Sequence, residues 1–319
     1  MSQINKFIIF APTYDENIGG VILLHKLCHL LNIKGIKSFI FPFFSPSQEY
    51  LDNESINLNY LQNILKSHSD KIITNPLFNT PLLKDVEQLK DLDSWAVVYP
   101  EIVAKNPMKA KNVIRWFLHY PGFHTGKINY EKGELYFKGH EQMRDSECIF
   151  EGSLTSKIPL YFLHYPIDIY NLQNVASHRS GIAYCIYKGK GRKISKSFKK
   201  AILIDGKSHI EIANIFKKVS LFVSYDLYTA YSTFAVLCGC TSVVIPEDGL
   251  SEENWRADPR TRYGISYGFD KIEQAMKTSK LALPQILEEE KKEIKIIENF
   301  VNEVHRIYYH NKENKWSIV

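Results

Sequence analysis

The sequence has no apolar run long enough to cross a membrane, and it has no signal peptide pattern. A membrane-spanning helix takes roughly 18 or more apolar residues, and no stretch approaches that length. The opening residues, MSQINKFIIFAPTYD, contain an apolar stretch that Pro12 interrupts early, which predicts a first strand instead of a leader. We therefore expect a cytoplasmic protein.

Cysteine is scarce, and its five residues are scattered through apolar settings: Cys28, Cys148, Cys185, Cys238 and Cys240. An odd and scattered set does not predict a disulfide framework, so we expect buried free thiols. Cys238 and Cys240 lack the second pair of ligands that a structural zinc site requires. No metal site is predicted from cysteine.

Nucleic-acid signatures and internal repeats are also missing. Basic and aromatic residues do not cluster as in RNA- or DNA-binding modules, so nucleic acid is not an expected partner. Gly206-Lys207-Ser208 is not a P-loop, because Ala201 stands where that motif requires its upstream glycine. The mildly basic net charge of +5 instead fits a phosphate-bearing substrate or a peripheral contact with an anionic membrane at its inner face.

The length of 319 residues allows two domains with full cores. Apolar content of 45% and charged content of 24% are typical of a globular protein. We predict an N-terminal domain over residues 1–175, a second domain over 176–283 and a C-terminal helix within 284–319. The polar stretch 171–180 is the predicted link.

The first half begins with a predicted βαβ unit. Residues 7–11 and 37–41 are apolar strands, and residues 21–33 have apolar side chains at helical spacing. Gly19 and Gly20 precede the helix, and they either let the backbone approach a ligand closely or form a simple tight turn. Further predicted elements are a helix over 56–67 and strands over 71–73, 95–99 and 112–120.

Several groups able to accept a proton follow the predicted strands: Asp15, Glu16, Glu101, His119 and His124. The carboxyl ends of parallel strands form the edge where ligands bind in doubly wound sheets. A hydrogen-bonded structural role is the alternative for each of them. These residues are the candidates for a general base.

The second half opens with a predicted strand over 181–187, which runs directly into Lys188, Gly189, Lys190, Gly191 and Arg192. Three cations and two glycines at a strand end suit a diphosphate, since glycine permits close approach and arginine can bind two oxygens. An exposed basic turn is the alternative. A strand over 201–205 and a helix over 208–217 follow.

Residues 221–246 predict a strand, a polar turn, a helix and a second strand. Asp226 is the predicted cap of the helix, and Gly239 stands where a left-handed residue ends it. Anions are favoured where a strand end faces a helix N-terminus. The candidate ligand-binding residues here are Ser224, Asp226, Thr229 and Ser232. Helices over 270–277, capped by Asp270, and 284–309 complete the chain.

The ending Ala235-Val236-Leu237-Cys238-Gly239 and the run Val243-Val244-Ile245-Pro246 resemble the nucleotide-binding core of GT-B fold glycosyltransferases. Many retaining members carry one glutamate in the turn and a second in the helix. This chain has Asp226 at the first position and Phe234 at the second. The second carboxylate of that pattern is therefore replaced here.

The resemblance implies an α/β fold of two Rossmann-like doubly wound domains that face each other across a cleft. It implies that Gly19 and Gly20 lie on the acceptor side, and that one of Lys188, Lys190 and Arg192 contacts the donor diphosphate. The donor is then a nucleotide sugar that acts as a co-substrate, and neither a metal nor another cofactor is expected. The last helix is expected to cross back to the first domain.

The expected function is transfer of a sugar from a nucleotide-sugar donor to a glycan or lipid-linked saccharide acceptor. A composition rich in Lys, Ile and Asn is associated with AT-rich bacterial genomes, which favours capsule or lipopolysaccharide synthesis. An inverting enzyme would need one of the proton acceptors above, whereas a retaining enzyme would not. A phosphotransferase or epimerase with the same nucleotide site, or a non-catalytic relative that binds a sugar or nucleotide, are the alternatives.

Overall fold

The computed structural model describes residues 4–43, 63, 65–66, 72–83, 92–140, 143–194, 198 and 200–310. The chain divides into two compact units, the first made of Met1–His164 with Lys291–Val319 and the second of Tyr165–Glu290. The predicted link over 171–180 lies inside the second unit. The helix predicted over 56–67 lies largely outside the described residues.

Among the described residues, the sheet of the first unit has six parallel strands in the order β2-β1-β3-β4-β5-β6. They are β1 (Lys6–Ala11), β2 (Lys37–Pro42), β3 (Trp95–Pro100), β4 (Asn112–Phe117), β5 (Leu135–Lys138) and β6 (Leu154–Thr155). Helix α1 (Gly19–Ile33) connects β1 to β2. Because neighbouring strands are parallel, their carboxyl ends meet at one edge of the sheet.

Both faces of this sheet are covered, which explains why most residues of its central strands β1 and β3 are apolar. Phe7 and Ile9 of β1 pack in one cluster that includes residues of α1 and of the last helix, α6 (Ala282–His310). Ile8 and Phe10, which point to the opposite face, pack in a second cluster. Alternate residues of one strand therefore build two cores.

In the second unit, the described residues form a sheet of five parallel strands in the order β11-β10-β9-β7-β8. They are β7 (Ile182–Cys185), β8 (Ile202–Leu203), β9 (Leu221–Ser224), β10 (Thr241–Val244) and β11 (Ile265–Tyr267). Its helices are α2 (His209–Phe216), α3 (Tyr231–Leu237), α4 (Glu252–Trp255) and α5 (Ile272–Thr278). Each unit thus consists of one sheet of parallel strands together with helices. This confirms the predicted α/β class with two Rossmann-like units.

Two helix ends follow the sequence signals. Ser208 and Glu211 form a reciprocal capping box at the start of α2. Gly239 has a φ of +72° just after α3, as predicted for a C-terminal glycine. Arg179 also donates hydrogen bonds to the carbonyls of Cys238 and Gly239, so a distant arginine satisfies the free acceptors of this helix end.

Other predictions of local structure are wrong. Helix α3 begins at Tyr231, and its N-cap residue Ala230 provides no side-chain hydrogen bond, so Asp226 does not cap it. Helix α5 likewise begins after Lys271 without a side-chain cap from Asp270. Residues 72–73 of the strand predicted over 71–73 form no strand, and residue 71 lies outside the described part. No helix within the described ranges is long and apolar enough to span a bilayer.

Candidate functional site

The loop that follows β7, residues 186–192, is fixed at its start by a carboxylate. Asp205 follows β8, the neighbour of β7, and accepts the backbone N–H groups of Ile186 at 3.1 Å and Tyr187 at 3.0 Å. Tyr187 has a φ of +37°, a left-handed conformation that a tyrosine rarely adopts. Asp205 thus stabilises an unusual backbone turn.

Close packing against the end of β9 fixes the middle of this loop. Gly189 is buried, and a Cβ atom at this position would collide with the carbonyl of Tyr225. Only glycine therefore permits the observed approach of the two backbones. Its N–H donates to the carbonyl of Ile186 at 2.6 Å, which closes the turn.

Arg192 fixes the end of the loop. Its guanidinium donates from Nη1 to the carbonyl of Tyr225 at 2.8 Å, and from Nη2 to the carbonyls of Ile245, at 3.0 Å, and Pro246. These carbonyls follow the neighbouring strands β9 and β10. Arg192, one of the three cations predicted as candidates for the diphosphate, therefore donates from both terminal nitrogens to the protein backbone.

Lys188 and Lys190 are exposed. Neither ammonium group forms an ion pair or hydrogen bond with any residue that the structure describes. The backbone N–H of Lys188 points instead to the Asp226 carboxylate at 3.4 Å. Two cations thus stand on a loop whose backbone is held by Asp205, Asp226 and Arg192, which is an arrangement able to bind an anion.

The turn after β9 uses its polar groups internally. Ser224 is fully buried, and its hydroxyl donates to the Asp226 carbonyl at 2.6 Å and accepts the Asp226 N–H at 3.1 Å. Asp226 is 7% exposed and accepts the Tyr228 N–H at 3.0 Å. Thr229 accepts the Tyr231 N–H at 3.3 Å. The turn thereby places Asp226 beside the lysine-bearing loop.

Ser232 is the remaining candidate of this turn and helix. Its side chain is fully buried in the first turn of α3. Its hydroxyl has no hydrogen-bond partner within the described part of the chain. The exposed fraction is zero, so a ligand would reach Ser232 only after a local rearrangement.

In the first unit, Glu101 lies directly after β3 and is 6% exposed. Its carboxylate accepts the N–H of Leu118 at 3.1 Å and also that of His119, both of which follow β4. Burial raises the pKa of Glu101 from the usual 4.5 to about 7, against the opposing effects of these N–H donors and of Arg115. Glu101 is therefore a carboxyl group that titrates near neutral pH.

His119 and His124 lie together after β4. The two rings are 5.0 Å apart between centroids, and the His119 ring packs at 4.0 Å on Phe123. His119 Nδ1 accepts the N–H of Tyr120 at 2.8 Å, which assigns this nitrogen as the acceptor. The structure brings Glu101 and His119 into one backbone network, and the His124 ring packs edge-on beside His119.

The start of α1 lies near the same edge. An added Cβ on Gly20 would lie 3.5 Å from Cδ1 of the Leu118 side chain, an ordinary van der Waals contact, whereas one on Gly19 would meet no described atom within 4 Å. Asp15 accepts the Asn17 N–H at 2.9 Å and so forms the turn before the helix. Glu16 is exposed. Within the described part of the chain, neither Gly19 nor Gly20 is therefore required by a close backbone approach.

A buried ion pair that sequence reasoning missed holds the segment that follows Glu101. Arg115 lies in the middle of β4, pairs with Glu134, and donates to the carbonyls of Val103 and Lys105 in the segment after Glu101. Tyr130, whose ring lies 4.4 Å from the guanidinium, donates to the Glu101 carbonyl at 2.7 Å. An arginine inside the apolar strand NVIRWF was the available signal.

His140 is a second residue that the sequence analysis missed. It follows β5, so it lies at the same sheet edge as Glu101 and His119. Burial lowers its pKa, and Lys138 lowers it further. Its Nδ1 is buried and has no hydrogen-bond partner among the residues that the structure describes. A neutral imidazole is expected there at neutral pH.

All five cysteines are buried and free, as predicted. Burial raises the pKa of Cys28, Cys185 and Cys240 to about 12, so these thiols stay protonated and are poor nucleophiles. Within the described ranges, no group of three or more His, Cys, Asp or Glu side chains is placed to hold a metal ion.

Comparisons with known proteins give structural similarity alone. No family model matches the sequence, and no curated protein matches it. One similar solved structure is BGT of phage T4 in complex with its UDP-glucose substrate, with 8% identity, a TM-score of 0.42 and coverage of 97% of this chain and 98% of that chain. Another is MurG of Acinetobacter baumannii, with 8% identity, a TM-score of 0.36 and coverage of 92% and 99%.

Proposed function

We propose that this protein is a metal-independent GT-B type glycosyltransferase. It transfers a sugar from a nucleotide-sugar donor to a glycan or lipid-linked saccharide acceptor in bacterial capsule or lipopolysaccharide synthesis. The observation that carries the proposal is the loop 186–192, which presents Lys188 and Lys190 from a fixed backbone at the carboxyl edge of a parallel sheet. Such edges are where nucleotides bind in open α/β folds.

The loop would act on the leaving group. During transfer, the bond between the anomeric carbon and the diphosphate oxygen breaks, and negative charge develops on the departing nucleoside diphosphate. Lysine cations aimed at that charge from a fixed backbone lower the barrier, because they need little reorganisation as the reaction proceeds. This chemistry needs no metal ion if the cations neutralise the leaving group sufficiently.

Glu101 would act on the acceptor in an inverting reaction. The acceptor hydroxyl attacks the anomeric carbon and loses its proton, and Glu101 takes that proton. A carboxyl with a pKa of about 7 is well matched to this task, since it is substantially ionised at neutral pH and still basic. His119 and His124 would then orient the acceptor. A retaining reaction would need no such base.

Thermal unfolding with UDP, GDP, dTDP, CDP and CMP, each with and without Mg²⁺, tests the proposal. A ligand at about a hundred times its dissociation constant stabilises the fold by about 2.7 kcal/mol, enough to raise the Tm by a few degrees. We expect a rise with one nucleotide that is the same without Mg²⁺. No rise with any of them would contradict the proposal and favour a non-catalytic relative.

A second assay separates the enzyme classes. The nucleotide sugar that corresponds to the stabilising nucleotide is incubated with the protein, and the release of free nucleoside diphosphate is measured with and without a mixed saccharide acceptor. Acceptor-dependent release supports a glycosyltransferase. A changed sugar without release would instead indicate an epimerase, and transfer of the sugar phosphate with release of the nucleoside monophosphate would indicate a phosphotransferase.

A further inference from the structure

We propose that Arg192 is a positioning residue that clamps the loop 186–192, and that Lys188 and Lys190, not Arg192, contact the diphosphate. This inference rests on the proposed function for the identity of the ligand. It assigns different roles to three cations that the sequence cannot distinguish.

The guanidinium of Arg192 already has protein acceptors for its terminal nitrogens. Nη1 serves the carbonyl of Tyr225, and Nη2 serves those of Ile245 and Pro246. These carbonyls lie beyond the ends of two adjacent strands, where the sheet itself no longer provides them with donors. Turning Arg192 toward a phosphate would leave these acceptors without their donor, which opposes that motion.

Asp205 performs the same task at the opposite end of the loop. Its carboxylate accepts the N–H groups of Ile186 and Tyr187 and thereby holds Tyr187 at its positive φ. An acidic side chain does not bind a diphosphate directly. Its charge repels an anion through space, so any favourable effect of Asp205 on anion binding passes through the backbone of the loop. Asp205 therefore serves as a comparison for a residue that acts only by positioning the loop.

The lysines are different. Both ammonium groups are exposed and unpaired within the described part of the chain, on either side of the buried Gly189. The backbone N–H groups of Lys190 and Gly191 likewise donate to no described residue. Clamping both ends of the loop thus leaves donors and positive charge in its middle, as in other backbone sites for anions.

The test measures binding of inorganic pyrophosphate and of the stabilising nucleoside diphosphate and monophosphate by calorimetry. The double variant Lys188→Met, Lys190→Met should bind the nucleoside diphosphate and pyrophosphate about tenfold or more weakly, and its binding should depend less on salt concentration. Arg192→Lys should also bind the diphosphate about tenfold more weakly, although it keeps the positive charge. The affinity for the nucleoside monophosphate should fall much less in each variant. General unfolding would instead weaken the binding of both nucleotides equally.

Asp205→Asn provides the decisive comparison. If both residues act through the loop, Arg192→Lys and Asp205→Asn should give similar losses, and the double variant should lose no more than about twofold beyond either one. Losses that multiply, or an Arg192→Lys variant that binds like the wild type while Arg192→Gln does not, would overturn the clamp and make Arg192 a direct ligand. Lys193→Met, which removes a neighbouring exposed cation, is the matched control and should bind normally.

Hydrogen exchange in the ligand-free protein separates this inference from the proposed function. The clamp predicts that Arg192→Lys speeds exchange of the Tyr187 and Gly189 amides in the absence of any ligand, while amides of β9 exchange as in the wild type. Unchanged exchange at these amides would overturn it. If no nucleotide or pyrophosphate binds to the wild type, the proposed function fails, yet the exchange measurement still decides whether Arg192 holds the loop.

Discussion

Arg115 and Glu134 form a bidentate ion pair in the interior of the first unit. Nη2 lies 2.6 Å from Oε1 and Nε lies 2.9 Å from Oε2, and the two side chains are 0% and 2% exposed. Arg115 also donates from Nη1 to the carbonyl of Val103 and from Nη2 to that of Lys105. The pair connects the middle of β4 to the segment that follows Glu101.

Removing one partner of this pair should destabilise the fold strongly. Arg115→Met leaves the Glu134 carboxylate buried without its counterion, which costs about 3–5 kcal/mol of unfolding free energy. Urea denaturation measures the loss. In the double variant Arg115→Met, Glu134→Leu, part of the stability should return, because no buried charge remains. Lys111→Met breaks an exposed pair with Asp93 and should have no measurable effect. If Arg115→Met loses as little stability as Lys111→Met, the ion pair of Arg115 and Glu134 does not stabilise the fold as proposed.

The ionisation of Glu101 should destabilise the fold. Its folded pKa of about 7 lies above the usual 4.5, so the folded protein holds this proton more tightly than the unfolded chain, and stability falls as the pH rises from about 4.5 to about 7. Glu101→Gln removes this effect. We expect equal stability near pH 4 and a gain of up to about 3 kcal/mol for the variant above pH 8, measured by urea denaturation. A variant that is less stable at both pH values would refute the raised pKa.

The same variant should lose transferase activity. If Glu101 is the base of an inverting reaction, kcat/KM of the wild type should rise with pH and level off above about pH 7, because the ionised form is the active one. Glu101→Gln should reduce kcat about 10²–10⁴-fold. Glu131→Gln, which alters an exposed carboxylate of the same unit, is the control. Activity that survives in Glu101→Gln would favour a retaining reaction or another base.

Gly189 and Gly19 should respond oppositely to alanine. A methyl group at Gly189 collides with the Tyr225 carbonyl, so Gly189→Ala should displace the loop, cost about 1–3 kcal/mol of stability and weaken nucleotide binding. Gly19 lies in the first turn of α1 with open space around its Cα, so Gly19→Ala should gain up to about 1 kcal/mol. Thermal unfolding with and without nucleotide measures both effects. A tolerated alanine at Gly189 would show that the loop is not tightly packed there.

The elements of the fold were largely predictable from local pattern. Strands such as β1, β3 and β9 are short apolar runs, and α2 begins at a capping box that the sequence displays openly. The turn before α3 was not predictable in this way, because the Asp226 carboxylate can accept either of two nearby hydrogen bonds. It could cap the helix or accept the Tyr228 N–H, and the structure shows the second. Local propensity cannot rank two hydrogen bonds of similar strength.

For the candidate sites too, the sequence determined some features and the tertiary structure decided others. The sequence by itself determined that Lys188, Lys190 and Arg192 follow a buried strand, and that Glu101 and His119 follow two others, because strand ends are set by apolar runs and their polar stops. Only the tertiary structure decided that Arg192 contacts backbone carbonyls and that burial moves the pKa of Glu101. The carbonyl partners of Arg192 follow strands β9 and β10, far along the chain, and burial depends on every element packed around a group. Such interactions arise from the arrangement of whole elements, which local sequence does not specify.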